Sequence, residues 1–294
     1  MAPLTTVAIC TFNREQMLLD AVGDVLAAAD ASVRVLVVDQ TAQHEPVVAA
    51  QIDAWTAVGS IDYVRLAPPS LTRARNVALE RAEGAYIIYV DDDVRIPDGG
   101  FIDAHRRALA RPGVGGAAGR IDEPGRPPKT VARGVGHLGW FGTREPGFGT
   151  RRSGPAATVR GCNMSFRVEA LRSIGGFDEQ YTRSAFREDT DVSWRLRQAG
   201  YRLWFAADAW LWHLSADSGG TRDESIRVGA DLIANDVYFA RKNLRAPQRQ
   251  AWLLRCYASQ VVKAGLTFGG TSERHRAFIQ AMKDHQVSPS VGIR

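Results

Sequence analysis

The sequence predicts an α/β fold: a mostly parallel sheet flanked by helices, with a helical C-terminal extension. Three observations carry this. Short apolar runs alternate with stretches of helical periodicity from residue 4 to 121. Two of those runs stop at acidic residues, Asp39 and Asp91-Asp92-Asp93. From about Ser225 onward the pattern is helical, with breaks near Ala246-Pro247 and Gly269-Gly270. Strands alternating with helices imply right-handed βαβ crossovers and parallel pairing.

The elements follow in order. Thr6–Cys10 is a short apolar strand, and Asn13 opens a helix to about Ala29. Val33–Val38 is a Val-rich buried strand, Glu45–Val58 a helix, and Ile61–Leu66 a third strand. Ser70 is a suitable N-cap for a helix to about Ala82. Ala85–Val90 is a fourth strand, Pro97 and Asp98 open a helix to Ala110, and Val114–Ile121 is a fifth strand. Residues 122–156 are dense in Gly, Pro and Arg, too long for a simple connector, and read as a functional lid or a poorly ordered segment. Thr158–Phe166 returns to strand character, and Val168–Ile174 and Glu188–Ala199 are helical. Tyr201–Ala206 and Ala209–His213 read as two short strands. The expected organisation is a nucleotide-binding βαβ half over 1–121, an acceptor-side half over 122–215 and the extension over 216–294.

Composition narrows the function. The chain has 294 residues, enough to bury a full core, and a net charge of +5. That balance favours anionic partners such as nucleotide phosphates or an acidic membrane face. Residues 222–294 hold twelve Lys/Arg against six Asp/Glu, so the basic excess is concentrated there. No helix-turn-helix, zinc-finger or RNP pattern is present, which argues against nucleic acid. No apolar run approaches the ~20 residues needed to span a bilayer. The N-terminus lacks the pattern of a signal peptide. Cys10, Cys162 and Cys256 are few and far apart, indicating neither a disulfide framework nor a zinc site. The expected location is the cytoplasm, including the inner membrane face.

Three adjacent carboxylates at a strand end repel one another unless a cation sits among them, and such oxygen donors suit Mg²⁺ or Mn²⁺. Ligands of parallel α/β sheets bind at the carboxyl ends of the strands, where Asp39 and Asp91–Asp93 both fall. A solvated acidic turn is the competing explanation of the trio, and a plain strand-end cap that of Asp39.

Five segments occur in this order: VAICTFNRE at 7–15, VLVVDQT at 35–41, LTRARNVALERAEGAYIIYVDDDV at 71–94, GCNMSFR at 161–167 and FREDTDVSWRLRQAGYRLWFAADAWLWH at 186–213. Together they resemble the family 2 glycosyltransferases, which have the GT-A fold, over residues 4–213. The resemblance implies an inverting transfer of a sugar from a UDP- or dTDP-linked donor to an acceptor hydroxyl or amine, aided by a divalent cation, Mn²⁺ or Mg²⁺. It places Thr11, Phe12 and Arg14 beside the nucleotide, Asp39 on the base, and Arg75 and Asn76 near the base or diphosphate. A carboxylate at Asp39 can accept the imide N–H of uracil or thymine. Asp91 and Asp93 match the ends of the DXD motif, the first reaching ribose or metal and the last binding metal; Asp92 is the less certain donor-side member. His213 matches a residue that, in part of the family, completes the metal shell or contacts the diphosphate. Glu188 and Asp189 match the acidic pair whose Asp is the catalytic base, with Asp191 in reserve. Asn163 falls at the donor-sugar boundary, and Cys162 reads as a small packed residue. Trp194, Trp204, Trp210 and Trp212 offer stacking faces, of which one or two at most would touch ligand.

Two rival functions use the same parts. A sugar-nucleotide nucleotidyltransferase needs a Gly-rich phosphate loop after the first strand, and Cys10–Arg14 has no glycine. A non-catalytic nucleotide-sugar-binding protein would be free to lose the acidic trio and Glu188-Asp189. The acceptor class stays open among glycans, lipid-linked sugars, carrier proteins and small natural products. The basic C-terminal helices could serve an anionic membrane, a carrier or a homodimer contact.

Overall fold

A computed structural model describes residues 4–285 except 98, 129, 132–133, 141, 145–146, 216–218, 221–227 and 264–269. Asp98 and parts of the expected loops at 122–156 and 214–224 therefore lie outside the described residues.

The first half follows the predicted alternation: β1 (Thr5–Thr11), α1 (Gln16–Ala28), β2 (Val33–Asp39), α2 (Pro46–Ala57), β3 (Asp62–Arg65), α3 (Leu71–Arg81), β4 (Tyr86–Val90). The chain continues through β5 (Val94–Arg95), α4 (Phe101–Leu109) and β6 (Val114–Asp122). Ser70 caps α3 as expected, its hydroxyl accepting from Arg73 N at 3.4 Å. Next come β7 (His137–Gly139), β8 (Gly142–Arg144), β9 (Gly154–Ala156), β10 (Asn163–Arg167), α5 (Val168–Ser173), α6 (Glu188–Gln198) and β11 (Arg202–His213).

The main sheet runs β3-β2-β1-β4-β10-β6-β11-β5, with β9 paired to β11. β1, β2, β3 and β4 are parallel, as are β6 and β11. β10 runs antiparallel between β4 and β6. The core is built on the strand interiors, with Val7, Ile9, Val37, Ile87, Ile88, Met164, Phe166 and Phe205 all buried. Strands buried on both faces need continuous apolar runs, which is why these segments carry Val and Ile without polar alternation.

Three expectations change. The 158–166 strand starts only at Asn163, because Val159 N donates to Ser193 Oγ on α6 and Arg160, Gly161 and Cys162 line a cleft before pairing begins. The two strands at 201–206 and 209–213 are one, interrupted by a register shift between Ala206 and Trp210 where β11 follows β6. The described residues of 122–156 include a β7–β8 hairpin and the β9 edge strand. Phe148 O accepts from Ile121 N at 2.8 Å, fastening this segment to the sheet.

The extension consists of α7 (Val228–Asn243), α8 (Gln248–Cys256), a π-helical stretch Tyr257–Lys263 and α9 (Thr271–Asp284). Two satellite clusters hold it: Tyr181, Phe239 and Trp252 near α6, and Ile233, Val237, Cys256 and Phe278 between its own helices. Among the described residues no helix is long and apolar enough to cross a membrane.

Candidate active site

The acidic trio lies where three strands converge. The β4–β10 register pairs Val90 with Asn163, so the next step along each strand brings Asp91 towards Cys162. β5 pairs antiparallel with the end of β11, matching Val94 with His213. Leu214 N donates to Asp93 O at 2.9 Å. This pairing sets His213 Nε2 3.3 Å from Asp93 Oδ1. From β1, Thr11 Oγ1 donates to Asp92 Oδ2 at 2.7 Å, and the Arg14 guanidinium reaches both Asp92 and Asp93 at 3.5 Å.

Arg14 Nη2 also donates to Gly219 O at 3.3 Å, and Gly220 N donates to Phe12 O at 2.8 Å. Gly219 has φ +74°, and a Cβ there would stand 2.5 Å from Asn13 O. The close approach of these two backbones therefore requires glycine.

Across the cleft, Arg75 projects from α3 and is 2% exposed. It forms a buried ion pair with Glu188, lies 3.7 Å from Asp91 and donates to Gly161 O at 3.4 Å. Asp189 Oδ1 accepts from Thr190 N at 2.6 Å, and its Oδ2 accepts from Gly161 N at 3.3 Å. Thr11, Phe12, Arg14, Arg75, Asp91, Asp92, Asp93, Glu188, Asp189 and His213 all line one cleft of about 620 Å³.

Three sequence-predicted residues stand elsewhere. Asp39 is fully buried; its carboxylate accepts from Thr41 N at 2.7 Å and meets Tyr63 Oη and His44 Nε2 at 2.5 Å. Its neighbour Gln40 lines the cleft instead. Asn76 braces the 176–179 turn through Phe177 N, Phe177 O and Glu179 at 2.8–2.9 Å. Asn163 is fully buried and staples the sheet, meeting His105 Nε2 at 2.9 Å and donating to Arg120 O and Ala209 O at 2.9 and 3.0 Å. Neither asparagine lines the cleft. The reserve base Asp191 is also fully buried, tied to Arg195, Lys242 and Asn243 at 2.6–2.8 Å. None of Trp194, Trp204, Trp210 and Trp212 lines the cleft; Trp204 stacks under Arg111 and Trp210 under Arg120.

The structure adds residues that motif reading passed over. Gln40, Arg160, Cys162 and the Thr182–Arg187 segment all face the cleft. That segment holds Arg183, Ala185 and Arg187 at φ +56°, +49° and +80°. Side chains rarely adopt this region without support. The support comes from α7. Asn235 donates to Thr182 O at 3.2 Å, and Arg183 lies 3.7 Å from Asp231. Arg187 Nε donates to Asp236 Oδ1 at 2.9 Å, which also accepts from Trp252 Nε1 at 3.0 Å.

The site's electrostatics reflect burial of like charges. Burial, reinforced by Asp93 and Asp91, pushes the Asp92 carboxyl up to about 7 despite Arg14 and Thr11. Burial likewise pushes Glu188 up to about 8 against the pull of Arg75. Burial also raises Asp91, with Asp93 adding to it and Arg75 opposing. Burial pulls the His213 imidazole down, but Asp93 and Asp91 outweigh it and hold its pKa above the ordinary value. A cation among these groups would relieve the repulsion. Among the described residues, Asp91, Cys162 and His213 offer donor atoms all within 4.8 Å of one another.

Residues 2–227 match the family described as "Glycosyltransferase like family 2". The chain belongs to this family. This glycosyltransferase also shares 39% identity over 44 residues with the succinoglycan biosynthesis protein ExoA of Rhizobium meliloti, a match covering 15% of this chain and only 12% of that protein. Solved structures with the same GT-A architecture include the mannosyltransferase PcManGT from Pyrobaculum calidifontis in complex with GDP-Man and Mn²⁺ (TM-score 0.55, 16% identity, 99% of this chain and 77% of that one). GalNAc-T7 with UDP, GalNAc and Mn²⁺ superposes with TM-score 0.69 at 14% identity, over 97% of this chain and 56% of that one. Residues 1–349 of S. aureus TarS with UDP-GlcNAc give 0.63 at 17%, over 95% and 80%. At these identities the likeness establishes the fold.

Proposed function

We propose that this glycosyltransferase moves a sugar from a nucleoside-diphosphate donor to an acceptor hydroxyl or amine with inversion at the anomeric carbon. The observation that supports this most is the sharing of one cleft by Asp91, Asp93 and His213 on one rim and Asp189 on the other. Sugar nucleotides or Mn²⁺ occupy the related solved structures named above, and we extend that donor class to this chain. Carboxylate and imidazole donors suit Mn²⁺ or Mg²⁺, so Asp91, Asp93 and His213 fit a divalent cation. When bound, such an ion supplies charge neutralisation to the departing diphosphate.

The chain's own residues carry the rest. Arg14 and Arg160 line the donor side as fixed cations. Asp39 acts behind the wall. It holds Thr41 N, and Thr41 Oγ1 in turn accepts from Asn13 N at 2.9 Å, ordering the turn that faces the nucleotide. Asp189 takes the acceptor proton as the acceptor atom bonds to the anomeric carbon and the diphosphate leaves with the bonding electron pair. Glu188 is committed to Arg75 and positions the pair. Attack from the face opposite the leaving group inverts the configuration. Thr182–Arg187 forms the wall where we place the acceptor.

The test is a panel of UDP-, dTDP- and GDP-sugars with candidate acceptors, with and without Mn²⁺. Release of free nucleoside diphosphate and a product of inverted anomeric configuration by proton NMR are expected. Pyrophosphate release would instead indicate nucleotidyl transfer, and a retained configuration would refute the single displacement.

A further inference from the structure

We infer that Cys162 is a direct ligand of the cation, completing a carboxylate–thiolate–imidazole set with Asp91 and His213. The inference rests on the cation-holding role proposed above and adds a ligand to it. Three independent features converge on it.

The first is proximity. The donor atoms of Asp91, Cys162 and His213 lie within 4.8 Å of one another. Bonds of about 2.0–2.3 Å to O, N and S place ligand atoms about 3–4.5 Å apart around one ion. Closure therefore needs side-chain adjustments of under about 1 Å.

The second is that the backbone builds this arrangement. The antiparallel β4–β10 register delivers Cys162 to the level of Asp91, and the β5–β11 register delivers His213 to the level of Val94. His213 ends β11, and Asp91 and Cys162 are the residues directly beyond the paired ends of β4 and β10. Such positions hold a constellation better than a loop does.

The third is the orientation of His213. Its Nδ1 lies 3.1 Å from Ser215 Oγ, and Nε2 faces the acidic rim. Ser215 holds φ +55°, an unusual conformation for a serine. A hydrogen bond at one ring nitrogen fixes which nitrogen is offered to a metal, the usual arrangement around metal-bound histidines. Asp93 stays on the same rim, 3.3 Å from His213 Nε2, with Arg14 3.5 Å from its carboxylate, so the thiolate joins the carboxylates there rather than displacing Asp93.

Binding is a ligand exchange. The thiol proton leaves to solvent as the sulfur–metal bond forms, one proton per ion bound. A thiolate changes which ions the site prefers. Soft sulfur favours borderline ions such as Co²⁺ and Zn²⁺ over Mg²⁺, which demands oxygen.

Co²⁺ tests this without turnover. Titrated into the full-length protein with a nucleoside diphosphate present, Co²⁺ should produce a near-ultraviolet sulfur-to-cobalt charge-transfer band. Cys162→Ser should abolish the band and weaken Co²⁺ at least about tenfold, while far-ultraviolet circular dichroism confirms folding. Cys10→Ser is the control, since Cys10 lines the same cleft outside the trio, and it should keep the band. Co²⁺ binding by calorimetry without the band, or a band that survives in Cys162→Ser, overturns the assignment and leaves the cation-holding rim standing. No binding of Co²⁺ or Mn²⁺ in any form of the protein overturns both.

Discussion

The two walls of the cleft are held in different ways. The acidic rim, Asp91–Asp93 with His213, is fixed by strand registers: β4 against β1 and β10, and β5 against β11. The opposite wall, residues 178–191, contains no strand of its own. It is clamped by side chains of α7, which lie far along the chain. Lys242 bridges Asp178 and Asp191 at 2.6 and 2.8 Å, Tyr238 donates to Asp178 at 2.7 Å, and Asp236 holds Arg187. A register is enforced by many backbone bonds at once, so one substitution rarely undoes it. A clamp of buried ion pairs fails when one partner is removed, because the other is left charged and unpaired. One face of α7 thus holds this wall through Asn235, Asp236, Tyr238 and Lys242.

Substitutions at the two walls should therefore behave differently. The largest effect belongs to the proposed base. Asp189→Asn should lower kcat about 10²–10⁴-fold, the range of a general base, with donor binding measured by calorimetry unchanged. Near-normal turnover would remove Asp189 from that role.

Next is the clamp. Asp236→Ala should destabilise the protein by about 3–5 kcal/mol in chemical denaturation. Asp236→Asn, which can still accept from Arg187 and Trp252, should lose less stability. It should lower kcat while leaving donor KM unchanged. A parallel loss of donor KM would show that the two walls are not separable.

The pH dependence is smaller and opposite in sign to ordinary acid denaturation. Asp92 and Glu188 have carboxyl pKa values raised by burial, to about 7 and about 8. Between the unfolded carboxyl range and those values the native state binds more protons, so stability falls as pH rises. Metal-free protein should lose melting temperature from about pH 5 to pH 8. Glu188→Gln should flatten that slope, and Mn²⁺ should flatten it by offsetting the charge on Asp92. A melting temperature that climbs across this window would contradict the assignment.

The same contrast explains what the sequence disclosed. A Val/Ile run ending in three Asp residues is a local pattern, and so is an acidic pair at a helix start. Both lead to groups that face the cleft. Asp39 looked equivalent, but His44 and Tyr63 occupy its carboxylate, and neither partner is marked by strand spacing. Asn163 reads as a polar residue near the site, whereas its partner His105 lies 58 residues away on α4. β5 is two residues long and carries no periodicity, yet it brings His213 to Asp93. The wall at 178–191 was least legible. Its left-handed residues are Arg and Ala rather than Gly, and its clamps span 49 to 64 positions of sequence.

Calorimetry of nucleoside-diphosphate binding, with and without Mn²⁺, tests the central claim most directly. The wild-type protein and Asp189→Asn should bind with Mn²⁺-dependent affinity, and Asp93→Ala should lose that dependence. Equal affinity with and without Mn²⁺, or an Asp93→Ala variant that responds to Mn²⁺ as the wild type does, would contradict the account.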